Sequence, residues 1–280
     1  MCALDIRPLG GSVGAEINGV NLNELDRKLR KQIHDAFADH LVLFFRDQTL
    51  TPDAHRSLAA SFGPVEVVPL LTKVDDDHPE LVLVDSATVH TADVWHTDVT
   101  YRENPPVMSI LHMIECPPVG GDTMWCNLQA AYAQLSAPMK EFLEGLTAMH
   151  VNRYGEGHFE HPVVRVHPVT GRKSLYVNRI FTSHIRQVSR PESDALLPFL
   201  YRWCEQANFS VRFRWSPGAV AMWDNRATLH SVTNDFEGPR ILHRATVLGD
   251  EPLGVSEPRF PKHDPQTMGA SDFFGKVYPF

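Results

Sequence analysis

Apolar and polar positions in this chain change over in short runs, and most runs carry the two-residue period of a half-buried strand. Ile6 to Leu22 alternates short β-type pieces with Gly10, Gly11, Gly14 and Gly19, which predicts strand and turn. Leu25, Leu29, Ile33, Ala36 and Phe37 then fall at helical spacing, with Lys28, Arg30, Lys31 and Asp35 on the other side. Those basic residues suit a solvated face better than a DNA contact. Leu41 to Phe45 is an apolar strand, and Thr51-Pro52-Asp53 opens a second helix ending near Gly63, with Thr51 as its cap. Further strands are predicted at Leu81–Val84, Met108–Met113, Val163–Val166, Ser174–Val177, Ser210–Trp215, Ala219–Trp223 and Arg240–Val247. Further helices are predicted at Ala130–Met149 and Pro191–Gln206. Many strands of similar length with turns between them predict a mostly β protein with flanking helices, folded as a double-stranded β-helix, or jelly roll.

Composition narrows this picture. The 280 residues, 43% of them hydrophobic, suit one sizeable core, and no repeat or linker divides the chain, so residues 1–280 are expected to form a single domain. A net charge of −8 argues against a nucleic-acid partner. Cys2, Cys116, Cys126 and Cys204 show no C-x-x-C spacing, which favours reduced cysteines over disulfides or zinc. No apolar run reaches membrane-spanning length and the first residues lack a signal pattern, so a soluble, cytoplasmic protein with no membrane partner is expected. The acidic run Asp75-Asp76-Asp77 lacks spaced oxygen ligands after it and is expected to be a solvated loop. His158 and His161 sit in a glycine-containing stretch without a carboxylate partner and are expected at the surface.

The stretch Val94-Trp95-His96-Thr97-Asp98-Val99-Thr100 carries the first candidate chemistry. In an extended segment, His96 and Asp98 point to the same face. One imidazole and one carboxylate are two legs of a 2-His-1-carboxylate triad, which holds Fe(II) and leaves coordination positions open. A lone H-x-D is weak, but Trp223-Asp224-Asn225-Arg226-Ala227-Thr228-Leu229-His230 follows far downstream, with His230 as the third leg. Two histidines and a carboxylate also describe hydrolytic zinc sites, so the residue types alone leave the metal open. Arg240 and Arg244 share parity on the last predicted strand, where a guanidinium can clamp a carboxylate bidentately. His243 falls on the opposite parity and is expected outside the pocket.

Taken together, WHTDVTY, GGDTMW, HPVVRVHPVTGRKSLYVN, WDNRATLH and RILHRAT resemble the taurine/2,4-dichlorophenoxyacetate dioxygenase family, from about Leu4 to Pro252. The resemblance implies an Fe(II)- and 2-oxoglutarate-dependent dioxygenase that uses O2 to hydroxylate a C–H and gives succinate and CO2. It matches His96, Asp98 and His230 to the iron ligands, and Thr123 and Arg240 to the residues holding the distal carboxylate of 2-oxoglutarate. Arg244 matches an arginine beside the substrate and the cosubstrate's other end. Retention of Asp98 implies hydroxylation and not halogenation. Most relatives carry a longer lid insertion where this chain has His150 to Glu160, which implies a more open pocket. Val68 and Leu71 stand where taurine-specific members carry a histidine and a tyrosine, and Thr91 and Ala92 align with the pair that receives the taurine amine. An apolar wall leaves an ammonium unpaired at a cost of roughly several kcal/mol. With Phe181 as an aromatic wall, the expected substrate is an anionic organic acid with an apolar body: an aryloxyalkanoate, alkyl sulfate or alkyl sulfonate. Taurine oxidation proper and a non-catalytic jelly-roll binding protein are the alternatives. A homo-oligomer, dimer or tetramer, is the expected assembly.

Overall fold

Alternation along the strands sorts the described side chains into three buried clusters, two of them on opposite faces of a central sheet. The computed structural model describes residues 4–68, 71–88, 92–153 and 155–263. In chain order its strands are β1 (Asp5–Pro8), β2 (Ala15–Asn18), β3 (Val42–Phe45), β4 (Val82–Asp85), β5 (Met108–Glu115), β6 (Thr123–Asn127), β7 (Thr147–Val151) and β8 (His158–Pro162). β9 (Val164–Val166), β10 (Lys173–Leu175), β11 (Thr182–Ile185), β12 (Ser210–Phe213), β13 (Val220–Asp224), β14 (Thr228–Val232) and β15 (Ile241–Val247) follow. The helices are α1 (Arg27–His40), α2 (Pro52–Ala60), α3 (Leu128–Ala133), α4 (Ala137–Leu143) and α5 (Arg190–Cys204).

The large sheet runs β1-β2-β3-β13-β5-β15-β4 and a smaller one runs β12-β6-β14. Leu43 and Phe45 of β3 pack with Ile33 and Phe37 of α1 and Leu58 of α2. The intervening Val42 and Phe44 face the smaller sheet, where they join Trp125 and Phe213. Phe44 stacks on Phe213 at 4.2 Å and meets Trp125 edge-on at 5.3 Å. Covered on both faces, β3 reads as a continuous apolar run, whereas β2 alternates. The helices begin where side chains satisfy their first N–H groups: Asp26 accepts from Leu29, Thr51 accepts from Ala54, and Ser189 with Glu192 forms a capping box. This is the jelly roll that the alternation predicts, with helices on its outside.

Two expectations need correction here. The helix predicted over Ala130–Met149 is two short helices and a strand, broken by the Ser136-Ala137-Pro138 start of α4. Its last turn is β7, which pairs with β8 and β11. The short segment from His150 to Glu160 lies mostly in this hairpin, and no described residue of it lines the cavity between the sheets. His161 is buried, not exposed, and hydrogen-bonds to the Arg102 carbonyl through Nε2 at 2.9 Å.

Several buried histidines carry a pH consequence. Burial, helped by the neighbouring His112, lowers the His55 pKa to about 3; burial lowers His161 to about 4 and takes His150 well below its ordinary range. An unfolded chain protonates these groups below about pH 6.5, while the folded chain resists until the lowered values are reached. Stability is therefore full above pH 6.5 and falls with acidification by about 1.4 kcal/mol per pH unit for each such histidine. Urea unfolding at pH 7.5 and 5.5 should show a clearly less stable protein at the lower pH. Equal midpoints would contradict this reading.

Candidate active site

The candidate site lies between the two sheets, where β13 crosses over to β14 through a buried polar corner. Asp224 accepts from the Arg226 backbone at 2.9 Å and its guanidinium at 2.7 Å, and from His167 Nε2 at 2.9 Å. Burial opposes that carboxylate's charge, but Arg226 and His167 hold its pKa far below the usual range. The corner launches β14 with His230 facing the gap. His96 joins β14 through a single bridge in which His96 and His230 exchange backbone hydrogen bonds of 3.0 and 2.8 Å. Thr97 adds a side-chain bond to the Thr228 carbonyl at 2.8 Å. Immediately afterwards the chain turns, with Val99 at φ 41°, a left-handed conformation costly for a β-branched residue. Asp98 thus reaches the histidines from a turn rather than from the pleat of a strand.

Asp98 Oδ1 lies 3.8 Å from His96 Nε2 and 3.7 Å from His230 Nε2, and the three groups offer ligand atoms within 4.8 Å of one another. Two ligand atoms each about 2.0–2.2 Å from one ion can be at most about 4.4 Å apart, a limit both carboxylate distances meet. His96 Nδ1 is 2.7 Å from the Val94 carbonyl, which can only accept, so the ring donates there and leaves Nε2 free as a ligand. Burial works to raise the Asp98 pKa, but His230, Arg244 and His96, with the Ser109 hydrogen bond, bring it down to about 2. Burial and the neighbouring His96 lower His230 to about 3. At neutral pH the cluster therefore holds an ionised carboxylate and a neutral His230, the protonation states a metal needs.

Beyond the cluster, Arg240 donates through Nε to the Gly121 carbonyl at 3.0 Å and through Nη2 to Thr123 Oγ1 at 3.2 Å. Trp215 Nε1 donates to the same hydroxyl at 2.9 Å. Both lone pairs of the Thr123 oxygen are thereby used, and its own O–H is left to donate. Gly121 has φ 65°, and a Cβ there would come within 3.3 Å of the Arg240 side chain. Burial lowers the Arg240 pKa to about 10. Arg240 and Arg244 take part in no ion pair among the described residues, and Arg244 Nε is buried without a hydrogen-bond partner. Two guanidiniums outside any ion pair among the described residues, beside a donating hydroxyl, have the chemistry to receive an organic anion.

A cavity of about 540 Å³ joins these parts, lined by the three clustered residues, Thr123, Arg240 and Arg244. Leu71, Val82, Val84, Val232 and Leu242 supply apolar wall, and Ser86, Thr88 and Ala92 supply part of the rim. Of the residues expected to face substrate, Leu71 does so; Val68 and Phe181 do not line the cavity. Phe181 is buried against Tyr101 at 5.2 Å, behind the turn that carries Asp98. Thr91, expected near the taurine amine position, lies outside the described residues. His243 stays off the cavity, its ring 6.2 Å from that of His112. Sequence reasoning assigned no role to Ser109 or Asn225, both of which bond to Asp98.

A double-sheet β fold with a buried 2-His-1-carboxylate cluster beside arginine and threonine donors matches the class of non-haem iron oxygenases that take an organic-acid cosubstrate. The chain belongs to the taurine catabolism dioxygenase TauD, TfdA family, whose model matches residues 5–246. Members use Fe(II), 2-oxoglutarate and O2, and the chain is an enzyme of that reaction type. It is 37% identical over 278 residues to an alpha-ketoglutarate-dependent sulfate ester dioxygenase of Pseudomonas putida, covering 90% of this chain and 92% of that protein. It is 35% identical over 278 residues to an alkylsulfatase of Acinetobacter baylyi, covering 90% and 87%. A crystal structure of a taurine dioxygenase from Burkholderia xenovorans superposes with a TM-score of 0.83 at 41% identity, covering 90% of this chain and 93% of that one.

Proposed function

We propose that this enzyme hydroxylates a small anionic molecule with an apolar body, an alkyl sulfate ester in the first instance, with sulfonates and aryloxy acids as the neighbouring class. The carrying observation is Arg244, a partly buried cation with no ion-pair partner among the described residues, which lies beside the His96–Asp98–His230 cluster and opposite apolar walls. In this reading those three residues hold the metal, and Thr123 and Arg240 hold the distal carboxylate of 2-oxoglutarate. Bound Fe(II) with 2-oxoglutarate and O2 supplies the oxidising chemistry, releasing succinate and CO2. Arg244 orients the anionic head group, and Leu71 and Val84 exclude water from the apolar body. Hydroxylation at the carbon bearing a sulfate oxygen gives a hydroxy sulfate ester, whose C–O bond breaks to yield an aldehyde and hydrogen sulfate. The relatives that act on sulfate esters support this choice.

The apolar wall also argues against a small zwitterion, because among the described residues no carboxylate other than that of Asp98 lines the cavity to meet an ammonium. At equal concentrations, medium-chain alkyl sulfates should outcompete taurine by about tenfold or more, the equivalent of about 1.4 kcal/mol. Paired measurement of succinate and aldehyde with both compounds present checks this. Preferential turnover of taurine would overturn the substrate reading while leaving the reaction type intact.

A further inference from the structure

The two carboxylate oxygens of Asp98 have different partners. Oδ1 faces both imidazoles, while Oδ2 accepts from Ser109 Oγ at 2.9 Å and from Asn225 Nδ2 at 3.1 Å. Ser109 and Asn225 are both fully buried, and they come from different elements, β5 and the corner after β13. The Asn225 backbone N–H donates to the Val107 carbonyl at 2.9 Å, which fixes the corner against the start of β5. Its side-chain Oδ1 accepts from Trp223 Nε1 at 2.9 Å. An indole N–H can only donate, so it dictates which end of the amide it meets: the oxygen faces Trp223 and the NH2 faces Asp98. With the amide reversed, a carbonyl oxygen would face a carboxylate oxygen and the indole would face an NH2. Ser109 and Trp223 are also cross-strand partners on β5 and β13, so the relay is built into the sheet register.

We propose that Ser109 and Asn225, with Trp223 setting the polarity of the amide, are positioning residues that hold Asp98 to a one-oxygen metal ligand. This rests on the metal reading of the His96–Asp98–His230 cluster. A carboxylate free to rotate can offer both oxygens to a cation, and each extra protein atom removes a position that the keto acid or O2 must use. Oδ2, saturated by two donors, is withheld. The wider pattern, in which partners behind a metal ligand set its orientation, changes metal affinity by about 10–100-fold when broken.

The test uses the full chain loaded with Co(II), so that binding is read without turnover. Ser109→Ala and Asn225→Ala should each weaken Co(II) binding about tenfold or more and change the visible d–d spectrum, which reports coordination number. Ser109→Thr, which keeps the hydroxyl, should restore both readouts. With Fe(II), the two alanine variants should consume more 2-oxoglutarate per substrate hydroxylated than the parent does. Unchanged Co(II) affinity and spectrum in both alanine variants, with only a lowered melting temperature, would make the residues merely structural and overturn the proposal. Should Asp98→Ala bind Co(II) as tightly as the parent, the metal reading itself fails and the proposal with it. The two failures are thus distinguishable. If Asn225→Ala does not fold, the smaller Ser109→Ala and Ser109→Thr pair carries the test alone.

Discussion

Asp98→Ala is expected to lower Fe(II)-dependent turnover by about 10³-fold or more, since a catalytic metal contributes several kcal/mol and each 1.36 kcal/mol is tenfold in rate. His96→Ala and His230→Ala should do the same. The fold should survive each change, because the backbone bridge between His96 and His230 and the bond from Thr97 to the Thr228 carbonyl involve none of the three ligand atoms. Asp98→Ala leaves the Ser109 hydroxyl and the Asn225 amide without their acceptor, at a cost of about 1–3 kcal/mol, less than a typical domain's stability. Circular dichroism and metal content measured beside turnover separate lost metal from lost structure. Parent-like turnover in any of the three variants would sink the metal assignment.

Arg240→Ala should raise the 2-oxoglutarate concentration needed for half-maximal rate by roughly 30-fold to several thousand-fold, the equivalent of about 2–5 kcal/mol. The size of the effect follows from burial, since Arg240 is 5% exposed and, among the described residues, its guanidinium hydrogen-bonds to the Gly121 carbonyl and the Thr123 hydroxyl. Arg240→Lys should lie between the two, keeping the charge but not the fork that grips a carboxylate at two points. Turnover at saturating 2-oxoglutarate should fall much less than affinity does. An unchanged half-saturating concentration in Arg240→Ala would show that the arginine only braces the Gly120-Gly121 turn.

Much of this architecture is legible in the sequence because β3, β5, β13 and β15 are bounded runs with strand-forming side chains. The misreading at Ala130–Met149 has a local cause. Its alanines, leucines, methionines and glutamates are good helix formers, and nothing local reveals that Thr147–Val151 pairs with two distant strands. The burial of His161 depends on that same hairpin, so nothing local in the sequence signals it. The spacing of His96 and Asp98 suggests one strand face, yet the two meet through a bridge and a turn. Ser109 and Asn225 carry no readable signal: a serine inside an apolar strand and an asparagine in a polar turn are ordinary residues until the register sets them beside Asp98.

The cavity draws its two halves from different parts of the chain. Thr123, His230, Arg240 and Arg244 belong to β6, β14 and β15 or their immediate ends, while Leu71, Ser86, Thr88 and Ala92 come from connecting segments around β4, at one edge of the large sheet. Replacing a residue in an edge segment disturbs neither the register of the central strands nor the corner that carries Asn225. The recognition surface can therefore diverge from one descendant to the next while the reaction stays fixed. For protein engineering, Leu71, Ser86, Thr88 and Ala92 are the positions to randomise when a new substrate is sought.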